Sequence, residues 1–397
     1  MNTPKIRFKG FKDDWEQRKF EEIAVRSSVI CSDDTLPRVE YEDIVSGTGR
    51  LNKDIYAKQS IKSGIAFHQG DVLYGKLRPY LQNWLLPTFD GLAVGDFWVL
   101  QPQNADSSFL YRLIQSRQFD EVANQSTGTK MPRADWKLVS KTVFSIPSNI
   151  SEQAAIGTYF TALDSLITLH QRKCDETKQL KKFMLQKMFP ENGEKNPEIR
   201  FEGFTDDWEQ RKLGEVSKRV IVGLATSVTP YYRAEGVPIL RNLNIKENYL
   251  DDSDILFLDR SYAESQISKQ IRAGDVLTVH TGYIGTSCVV PEKYDKCLTF
   301  TTLITTTDNS VLKGEFLAQY LNSDIGMSAL QSVTTQGGRQ NLNTNDFVKV
   351  EIRFPSLLEQ SNICAMLRNI DNLITLHQRK CEKLKELKKF MLQNMFV

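Results

Sequence analysis

The sequence predicts an α+β protein in which two mixed α/β domains are each followed by one long helix, as a tandem repeat. The first observation is that residues 166–189 recur without a gap at residues 373–396, with 19 of 24 positions identical. The second is that residues 6–20 recur at residues 199–213, with 12 of 15 positions identical. The third is that the segments between these repeats differ in sequence but keep the same order of short apolar runs and turn residues.

The composition is that of an ordinary globular protein. The length of 397 residues is enough for two or three domains. No apolar run reaches the roughly 18 residues that a membrane span needs, and the first ten residues lack the apolar stretch of a secretory signal. We therefore expect a cytoplasmic protein without membrane contact. The net charge is only +2, so any basic footprint must be local, and the six cysteines are expected to be reduced, buried thiols.

The first domain, residues 1–149, opens with the repeated segment. In this segment Asp13 and Asp14 precede Trp15, an arrangement typical of the start of a helix or strand. The acidic pair does not predict a metal site, because no histidine or third carboxylate lies at a suitable spacing. The other elements predicted in this domain are β-type runs at residues 71–74, 97–100 and 142–146 and a helix at residues 108–119.

Two long helices are predicted at residues 150–189 and 357–397, with Ser151 as the N-cap of the first. In both, apolar or small side chains recur three and four residues apart, which is the a/d seam of a coiled coil. Two such helices in one chain are expected to pair because their local concentration is high. The alternative is that each helix is buried separately in its own domain. The central seam residues, which we assign to the helix pair and to partner docking, are Ile167, His170, Cys174, Ile374, His377 and Cys381.

A second apolar stripe lies beside the seam, formed in the first helix by Leu166, Leu169, Leu180 and Phe183. We expect the seam to meet the partner helix and this neighbouring face to pack on a globular domain. The same part of each helix is basic: residues 170–189 and 377–396 each hold six lysines or arginines against two acids. Such a run is usually a solvated helix face, and contact with phosphate is the alternative.

The second half follows the plan of the first. A polar linker at residues 190–198 is expected to be exposed, and the second domain occupies residues 199–356. Gly-Asp-Val-Leu occurs in both domains, at residues 70–73 and 274–277. Glu-Gln occurs near the start of both long helices, at residues 152–153 and 359–360.

The sequence lacks the motifs of common catalytic sites. Residues 70–76 match the G-x-x-x-x-G-K part of a phosphate-binding loop, but Leu77 stands where that motif needs Ser or Thr for magnesium. No HExxH, GxSxG or GxGxxG motif is present. We therefore predict a recognition protein without a catalytic or metal site of its own.

Two unlike domains, each followed by a long helix that begins near Glu-Gln and contains LKKFMLQ, resemble the DNA specificity subunit of type I restriction–modification systems. The resemblance covers essentially the whole chain and includes the IRFxGFxDDWEQRK openings. It implies that the two domains are target recognition domains. It also implies that the helices form an antiparallel pair that separates the domains, with pseudo-twofold symmetry.

The resemblance further implies the partners. Each domain would read one half of a split target in double-stranded DNA, and the helices would set the spacing and dock two methyltransferase (modification) subunits. Restriction subunits would complete the nuclease. This chain would be non-catalytic and hold no cofactor, whereas S-adenosylmethionine, and ATP and Mg for restriction, would bind to the partner subunits.

Glycine-containing loops are the candidate DNA contacts, because glycine lets the backbone approach DNA and the neighbouring side chains suit base edges. The alternative is that they are ordinary surface turns. The family has no fixed motif for base-reading residues, so these candidates rest on residue type and position alone. They are Lys76, Arg78, Lys130, Arg133, Thr281, Tyr283, Arg339, Gln340 and Asn341.

Two other functions remain open from the sequence. A self-contained DNA-modifying enzyme would need a cofactor-binding glycine motif, and the sequence shows none. A coiled-coil adaptor that only joins proteins would not explain two divergent domains between matching borders.

Overall fold

The computed structural model describes residues 3–57, 60–125, 131–191, 193–282, 284–333 and 341–396. It divides into two compact units, residues 1–172 with 377–397 and residues 173–376. Each unit combines one mixed domain with part of both long helices. The predicted α+β class is confirmed.

The first unit contains two four-stranded sheets among its described residues, ordered β2-β11-β8-β9 and β3-β7-β10-β4, and two strand pairs, β1-β12 and β5-β6. The strands are β1 Trp15–Lys19, β2 Ala24–Ser27, β3 Ile30–Cys31, β4 Arg38–Val39, β5 Ile44–Val45, β6 Arg50–Leu51, β7 Gly64–Phe67, β8 Val72–Gly75, β9 Trp84–Leu85, β10 Gly91–Ala93, β11 Phe97–Pro102 and β12 Val143–Pro147. The helices are α1 Phe20–Ile23, α2 Ser107–Leu113, α3 Arg117–Ala123, α4 Trp136–Lys141 and α5 Ile150–Lys187, which continues into the second unit.

The second unit also contains two four-stranded sheets among its described residues, ordered β14-β23-β20-β21 and β15-β19-β16-β22, with the pairs β13-β24 and β17-β18. The first of these sheets repeats the strand order of the first unit, whereas in the second sheet β19 pairs with β16, the equivalent of β4, and not with the equivalent of β10. The strands are β13 Glu209–Lys212, β14 Ser217–Val222, β15 Tyr232–Arg233, β16 Val237–Arg241, β17 Ile245–Lys246, β18 Tyr249–Leu250, β19 Leu256–Leu258, β20 Val276–Val279, β21 Ser287–Val289, β22 Leu298–Phe300, β23 Thr302–Thr307 and β24 Glu351–Phe354. The helices are α6 Arg260–Ser265, α7 Gly314–Leu321, α8 Asp324–Val333, α9 Thr344–Phe347 and α10 Leu357–Met395, which continues into the first unit.

The predicted helix at residues 108–119 is two helices, α2 and α3. Asp106 caps α2 by accepting a hydrogen bond from the Phe109 amide, and Ser116 caps α3 by accepting one from the Phe119 amide. A capping serine has extended backbone geometry, so it ends one helix and starts the next. The predicted β-type runs of this domain lie in β8, β11 and β12.

The repeated Gly-Asp-Val-Leu is a turn that leads into a core strand. Gly70 and Gly274 have φ values of 92° and 89°, which favour glycine. The buried carboxylates of Asp71 and Asp275 accept hydrogen bonds from main-chain amides three residues earlier, both at 2.9 Å. The structure therefore explains the phosphate-loop-like spacing at residues 70–76 as a turn followed by β8.

The glutamate of each Glu-Gln pair anchors a long helix to the repeated opening segment. Glu152, the third residue of α5, is 1% exposed and accepts hydrogen bonds from Arg7 at 2.6 and 2.7 Å. Glu359, the third residue of α10, is equally buried and accepts two from Arg200, both at 2.8 Å. A carboxylate in the first helical turn also complements the helix dipole.

The glutamine of each pair ties the same helix to the mixed domain. Gln153 accepts a hydrogen bond from the Asp106 amide at 2.9 Å and donates one to the Pro147 carbonyl at 2.8 Å. Gln360 makes the corresponding bonds to the Lys313 amide and the Pro355 carbonyl, at 2.9 and 2.8 Å. The recurrence of Glu-Gln is therefore explained by structure.

The N-cap of α5 is Asn149, so the prediction of Ser151 is wrong. The Asn149 side chain accepts a hydrogen bond from the Ser151 amide at 2.8 Å, and its carbonyl accepts from the amides of Glu152 and Gln153. Asparagine is among the best N-cap residues. The helix therefore begins at Ile150, one residue before Ser151.

Within the first unit, the start of α5 packs antiparallel to the end of α10. His170 Nδ1 lies 3.1 Å from His377 Nδ1, Asp164 lies 2.7 Å from the Lys388 ammonium, and the Phe160 ring lies 6.3 Å from the Phe396 ring. Residues with lower numbers in α5 contact residues with higher numbers in α10, so the two helices run in opposite directions. The seam residues that share this core include Ile156, Phe160, Leu163, Leu384, Met391 and Met395.

The second unit contains the corresponding packing of the end of α5 with the start of α10. Lys181 lies 2.7 Å from Asp371, and these residues correspond in the repeat to Lys388 and Asp164. The lysines that interrupt each seam are therefore partners of aspartates on the other helix. The seam residues that share this core include Met184, Met188, Ile363, Leu367 and Ile370.

Both long helices end two residues before the predicted limits. The first stops at Lys187 because Pro190 cannot continue it, and Phe189 packs on Trp208 with 6.1 Å between ring centroids. The second stops at Met395, and Phe396 stacks on Phe109 at 5.6 Å.

The second apolar stripe does not pack on a globular domain, so that expectation is wrong. Leu169 is half-buried, but the other stripe residues of α5 and the corresponding residues of α10 are between 40% and 52% exposed. Within each unit, burial of the helix lies mostly at the seam and the Glu-Gln anchor. The exposed stripe residues are Leu166, Leu180, Phe183, Leu373, Leu376, Leu387 and Phe390.

Substitution of Arg7 by alanine is expected to lower the unfolding free energy of the first unit by roughly 3–5 kcal/mol, because it leaves the buried Glu152 carboxylate without its charged partner. Urea unfolding with amide hydrogen exchange at residues 150–172 measures this. The control is Arg117→Ala, which removes an exposed pair with Glu121 and should cost less than about 0.5 kcal/mol. Equal, small effects of the two substitutions would contradict the anchoring role of Arg7.

Candidate nucleic-acid interface

In the first unit, the structure brings two of the predicted loops together. The segment after β8 and the segment before α4 form an isolated antiparallel bridge between Leu77 and Arg133. The Arg78 amide donates to the Pro132 carbonyl at 2.7 Å, and the Ala134 amide donates to the Lys76 carbonyl at 2.9 Å. Lys76, Arg78 and Arg133 therefore belong to one surface, although Arg133 is more than fifty residues from the other two in sequence.

Asp96, which the sequence analysis did not select, joins these cations. Its carboxylate lies 3.4 Å from the Lys76 ammonium and 3.0 Å from the Arg133 guanidinium. Burial raises the pKa of Asp96, but the hydrogen bond from Arg133 and the charge of Lys76 together hold that pKa below its ordinary value. Asp96 is therefore ionised at neutral pH and neutralises part of the basic surface.

Tyr41 supplies a third segment to this surface. Its hydroxyl donates to the Asp96 carbonyl at 2.6 Å and accepts from the Leu77 amide at 2.9 Å. Burial raises the pKa of Tyr41 well above its ordinary value, so the hydroxyl keeps its proton. A single tyrosine has no sequence pattern from which this role could be predicted.

Arg78 holds a strained backbone conformation. Its φ and ψ are 50° and 66°, the left-handed region that costs an L-residue roughly 1–2 kcal/mol. Its Nε is buried without a partner among the described residues. The side chains beside it are exposed and partly apolar: Tyr80 is 56% exposed, Leu81 is 37% exposed and Met131 is 51% exposed. Strain of this kind concentrates at functional sites.

In the second unit, the corresponding loops also come together. Thr281 and Asn341 form an isolated antiparallel bridge, and the Leu342 amide donates to the His280 carbonyl at 3.0 Å. The His280 ring and the Asn341 side chain share a hydrogen bond of 3.0 Å. Repeat alignment places His280 and Asn341 where the first unit has Lys76 and Arg133.

The third segment of this second surface is Asn242, which corresponds to Tyr41. Its side chain donates to Thr281 Oγ1 at 3.0 Å and accepts from Thr302 Oγ1 at 3.1 Å. The hairpin that follows, β17-β18, carries an exposed Tyr249. Asn242 and Tyr249 were not among the predicted contacts because neither lies beside the glycines that marked the other loops.

Four predicted contacts lie outside the described residues: Lys130, Tyr283, Arg339 and Gln340. The five described candidates, Lys76, Arg78, Arg133, Thr281 and Asn341, divide between the two surfaces, with three in the first unit and two in the second. We call these the first and second loop surfaces, and each consists of the bridged loops together with Tyr41 or Asn242.

The predicted seam residues lie in the helix packing. Cys174 and Cys381 are buried, whereas Ile167, His170, Ile374 and His377 are half-buried or at the margin of the seam. The Cys381 thiol lies 3.6 Å from the Gln171 side chain. All six cysteines are free; five are buried, as predicted, and Cys31 is half-buried.

Among the described residues, no group of three His, Cys, Asp or Glu side chains is placed to hold a metal ion. The same part of the chain contains no helix that is both long enough and apolar enough to cross a membrane.

Residues 205–386 match the family described as the type I restriction modification DNA specificity domain. The chain is 23% identical to the type I restriction enzyme MjaVIII specificity subunit of Methanocaldococcus jannaschii over 334 residues, 78% of this chain and 77% of that protein. It is 26% identical to the EcoDI specificity subunit of Escherichia coli over 135 residues, 32% of this chain and 30% of that protein. In fold it resembles the solved type-I restriction-modification system S subunit from M. genitalium, with a TM-score of 0.63 and 13% identity, covering 100% of this chain and 99% of that one.

Substitution of Arg78 by glycine is expected to raise the stability of the first unit by up to about 1 kcal/mol. Glycine adopts the left-handed conformation without strain. Its greater conformational freedom in the unfolded chain offsets part of the gain in stability. Thermal unfolding measures the change, and Arg78→Ala is the matched control because it removes the side chain but keeps the strain. An equal gain from both substitutions would show that the backbone at Arg78 stores no strain.

Proposed function

We propose that the chain is a specificity subunit of the type I restriction–modification class and that its two loop surfaces each read one half of a bipartite DNA target. One observation carries this proposal: equivalent bridges, Leu77 with Arg133 and Thr281 with Asn341, bring corresponding loops together in both units. The bridges recur, whereas the side chains on them differ. A common frame with different side chains is what two half-sites of different sequence require.

The chemistry of each surface suits base edges. Lysine and arginine pair with the O6 and N7 acceptors of guanine, and asparagine pairs with adenine in the major groove. Lys76, Arg78 and Arg133 are our candidate contacts of the first surface, and Thr281 and Asn341 those of the second. Lys130, Tyr283, Arg339 and Gln340 continue the same loops in sequence and complete the candidate set.

The long helices would set the distance between the two half-sites. The first helix has 38 residues, which corresponds to roughly 57 Å of α-helix. Half-sites one turn of DNA apart are about 34–36 Å apart, so a helix pair of this length is a sufficient spacer. The half-buried Asp–Lys pair in each unit would fix the register of that spacer.

The exposed stripes would dock the partner subunits. Leucine and phenylalanine repeated along a helix present an apolar face to another helix. Since the stripe occurs once on each long helix, we propose two methyltransferase subunits, with restriction subunits in the full complex. The chain itself would catalyse nothing. The partners would hold S-adenosylmethionine, and ATP and Mg for restriction, and the complex would act on DNA in the cytoplasm.

Selection from random DNA duplexes tests the reading proposal directly. The complex purified from its native host is expected to enrich two short fixed sequences separated by a spacer of constant length and free composition. A single continuous sequence, or no enrichment over a random library, would contradict it.

Replacement of Phe183 or Phe390 by aspartate is expected to weaken association with the methyltransferase subunit at least tenfold, because it buries a charge in an apolar contact. Titration of purified subunits measures this. Gln179→Asp is the matched control, since it adds the same charge at an exposed position beside the stripe. Unchanged association of both phenylalanine variants would show that the stripes are not the docking surface.

A further inference from the structure

We propose that Asp96 is the positioning residue that holds Lys76 and Arg133 as a pair for reading a guanine-containing half-site, and that this device belongs to the first loop surface, since Thr301 stands at the corresponding position of the second. The inference rests on the proposed function and adds a residue and a base chemistry to it. Asp96 lies outside every loop that the sequence pattern selected.

The two oxygens of the Asp96 carboxylate contact different cations. Oδ1 faces the Lys76 ammonium at 3.4 Å, and Oδ2 faces the Arg133 guanidinium at 3.0 Å. Each oxygen therefore holds one cation, and the two cations come from different loops. Long flexible side chains that are held in this way lose less freedom when they bind DNA.

The main chain at Asp96 is fixed from two sides. Its carbonyl accepts hydrogen bonds from the Tyr41 hydroxyl at 2.6 Å and from the Lys76 amide at 2.9 Å. The next residue, Phe97, is 1% exposed and begins β11. The carboxylate is therefore held at the start of β11, next to a buried residue, whereas both of its partners are on loops.

Lys76 and Arg133 keep the capacity to contact bases while they are held. An ammonium has three donors and a guanidinium has five, so one contact to Asp96 leaves others available. The exposed fractions of Lys76 and Arg133 are 31% and 52%. Guanine offers two acceptors in the major groove for such donors.

Asp96 would also reduce binding to DNA of any sequence. A carboxylate beside two cations repels phosphate and offsets their charge, so the pair gains less from the backbone than free cations would. Each additional phosphate contact steepens the dependence of log affinity on log salt by about 0.9. Removing the carboxylate charge while keeping its shape should therefore strengthen non-specific binding and steepen its salt dependence.

The second loop surface has a different chemistry at the same place. Phe97 pairs with Gly75 in the first unit as Thr302 pairs with Val279 in the second, so Thr301 corresponds to Asp96. The hydrogen bonds there join amide, hydroxyl and imidazole groups, including Asn242 and Asn341. An effect of Asp96 should therefore be confined to one half-site.

The test compares Asp96→Asn with Asp90→Asn in the complex purified from its native host. Asp90 is a matched control because it is a half-exposed carboxylate of the same unit, with its own contacts to His68 and Gln69. Random-duplex selection is expected to show a loss of about tenfold in guanine preference in one half-site for Asp96→Asn only. Non-specific binding should be tighter. The slope of log affinity against log salt should be steeper by about 0.9–1.8, which corresponds to one or two additional phosphate contacts.

Any of four DNA-binding results would overturn the proposal: no change from Asp96→Asn, equal changes in both half-sites, equal effects of Asp90→Asn, or a lost preference for a base pair that lacks guanine. A merely structural role of Asp96 would lower the unfolding temperature without a change confined to one half-site, and that result also overturns it. Failure of the proposed function is recognised separately, because the unsubstituted complex would then select no bipartite sequence.

Discussion

A buried carboxylate at the third position of each long helix is the constraint on which the rest of this fold depends. Glu152 and Glu359 are each 1% exposed, and each is held by the arginine of a repeated opening segment. An unpaired carboxylate at this depth would be strongly destabilising, so the opening segment and the helix must fold together. The neighbouring glutamine then ties the helix to the domain, which fixes the starting point of a helix of 38 or 39 residues.

The two units use one frame for two kinds of chemistry. The frame comprises the arginine–glutamate pair, the glutamine bonds, the Asp–Lys pair between helices and the bridge between loops. On this frame the first unit carries a charged group centred on Asp96, and the second carries amides, hydroxyls and an imidazole. Because the frame's contacts do not involve the divergent loop side chains, those side chains are free to vary without loss of the fold.

Much of the architecture could be predicted from the sequence because the repeats are long and the heptad spacing is regular. The α+β class and the positions of the long helices follow from local patterns, whereas the pairing of the candidate loops became visible only in the structure. Asp96 could not be found in this way, because it reaches the loops through the pairing of β11 with β8, and Tyr41 reaches them from a separate segment that follows β4. The exposure of Phe183 and Phe390 was also missed, since periodicity identifies an apolar face but does not say what covers it.

Replacement of residues 20–149 by the corresponding domain of another specificity subunit, with the opening segment and both long helices retained, tests the central claim most directly. Selection of DNA by the resulting complex should give a bipartite target in which one half is new, while the other half and the spacer are unchanged. A change in both halves, or in neither, would contradict the account of two independent reading units on one shared frame.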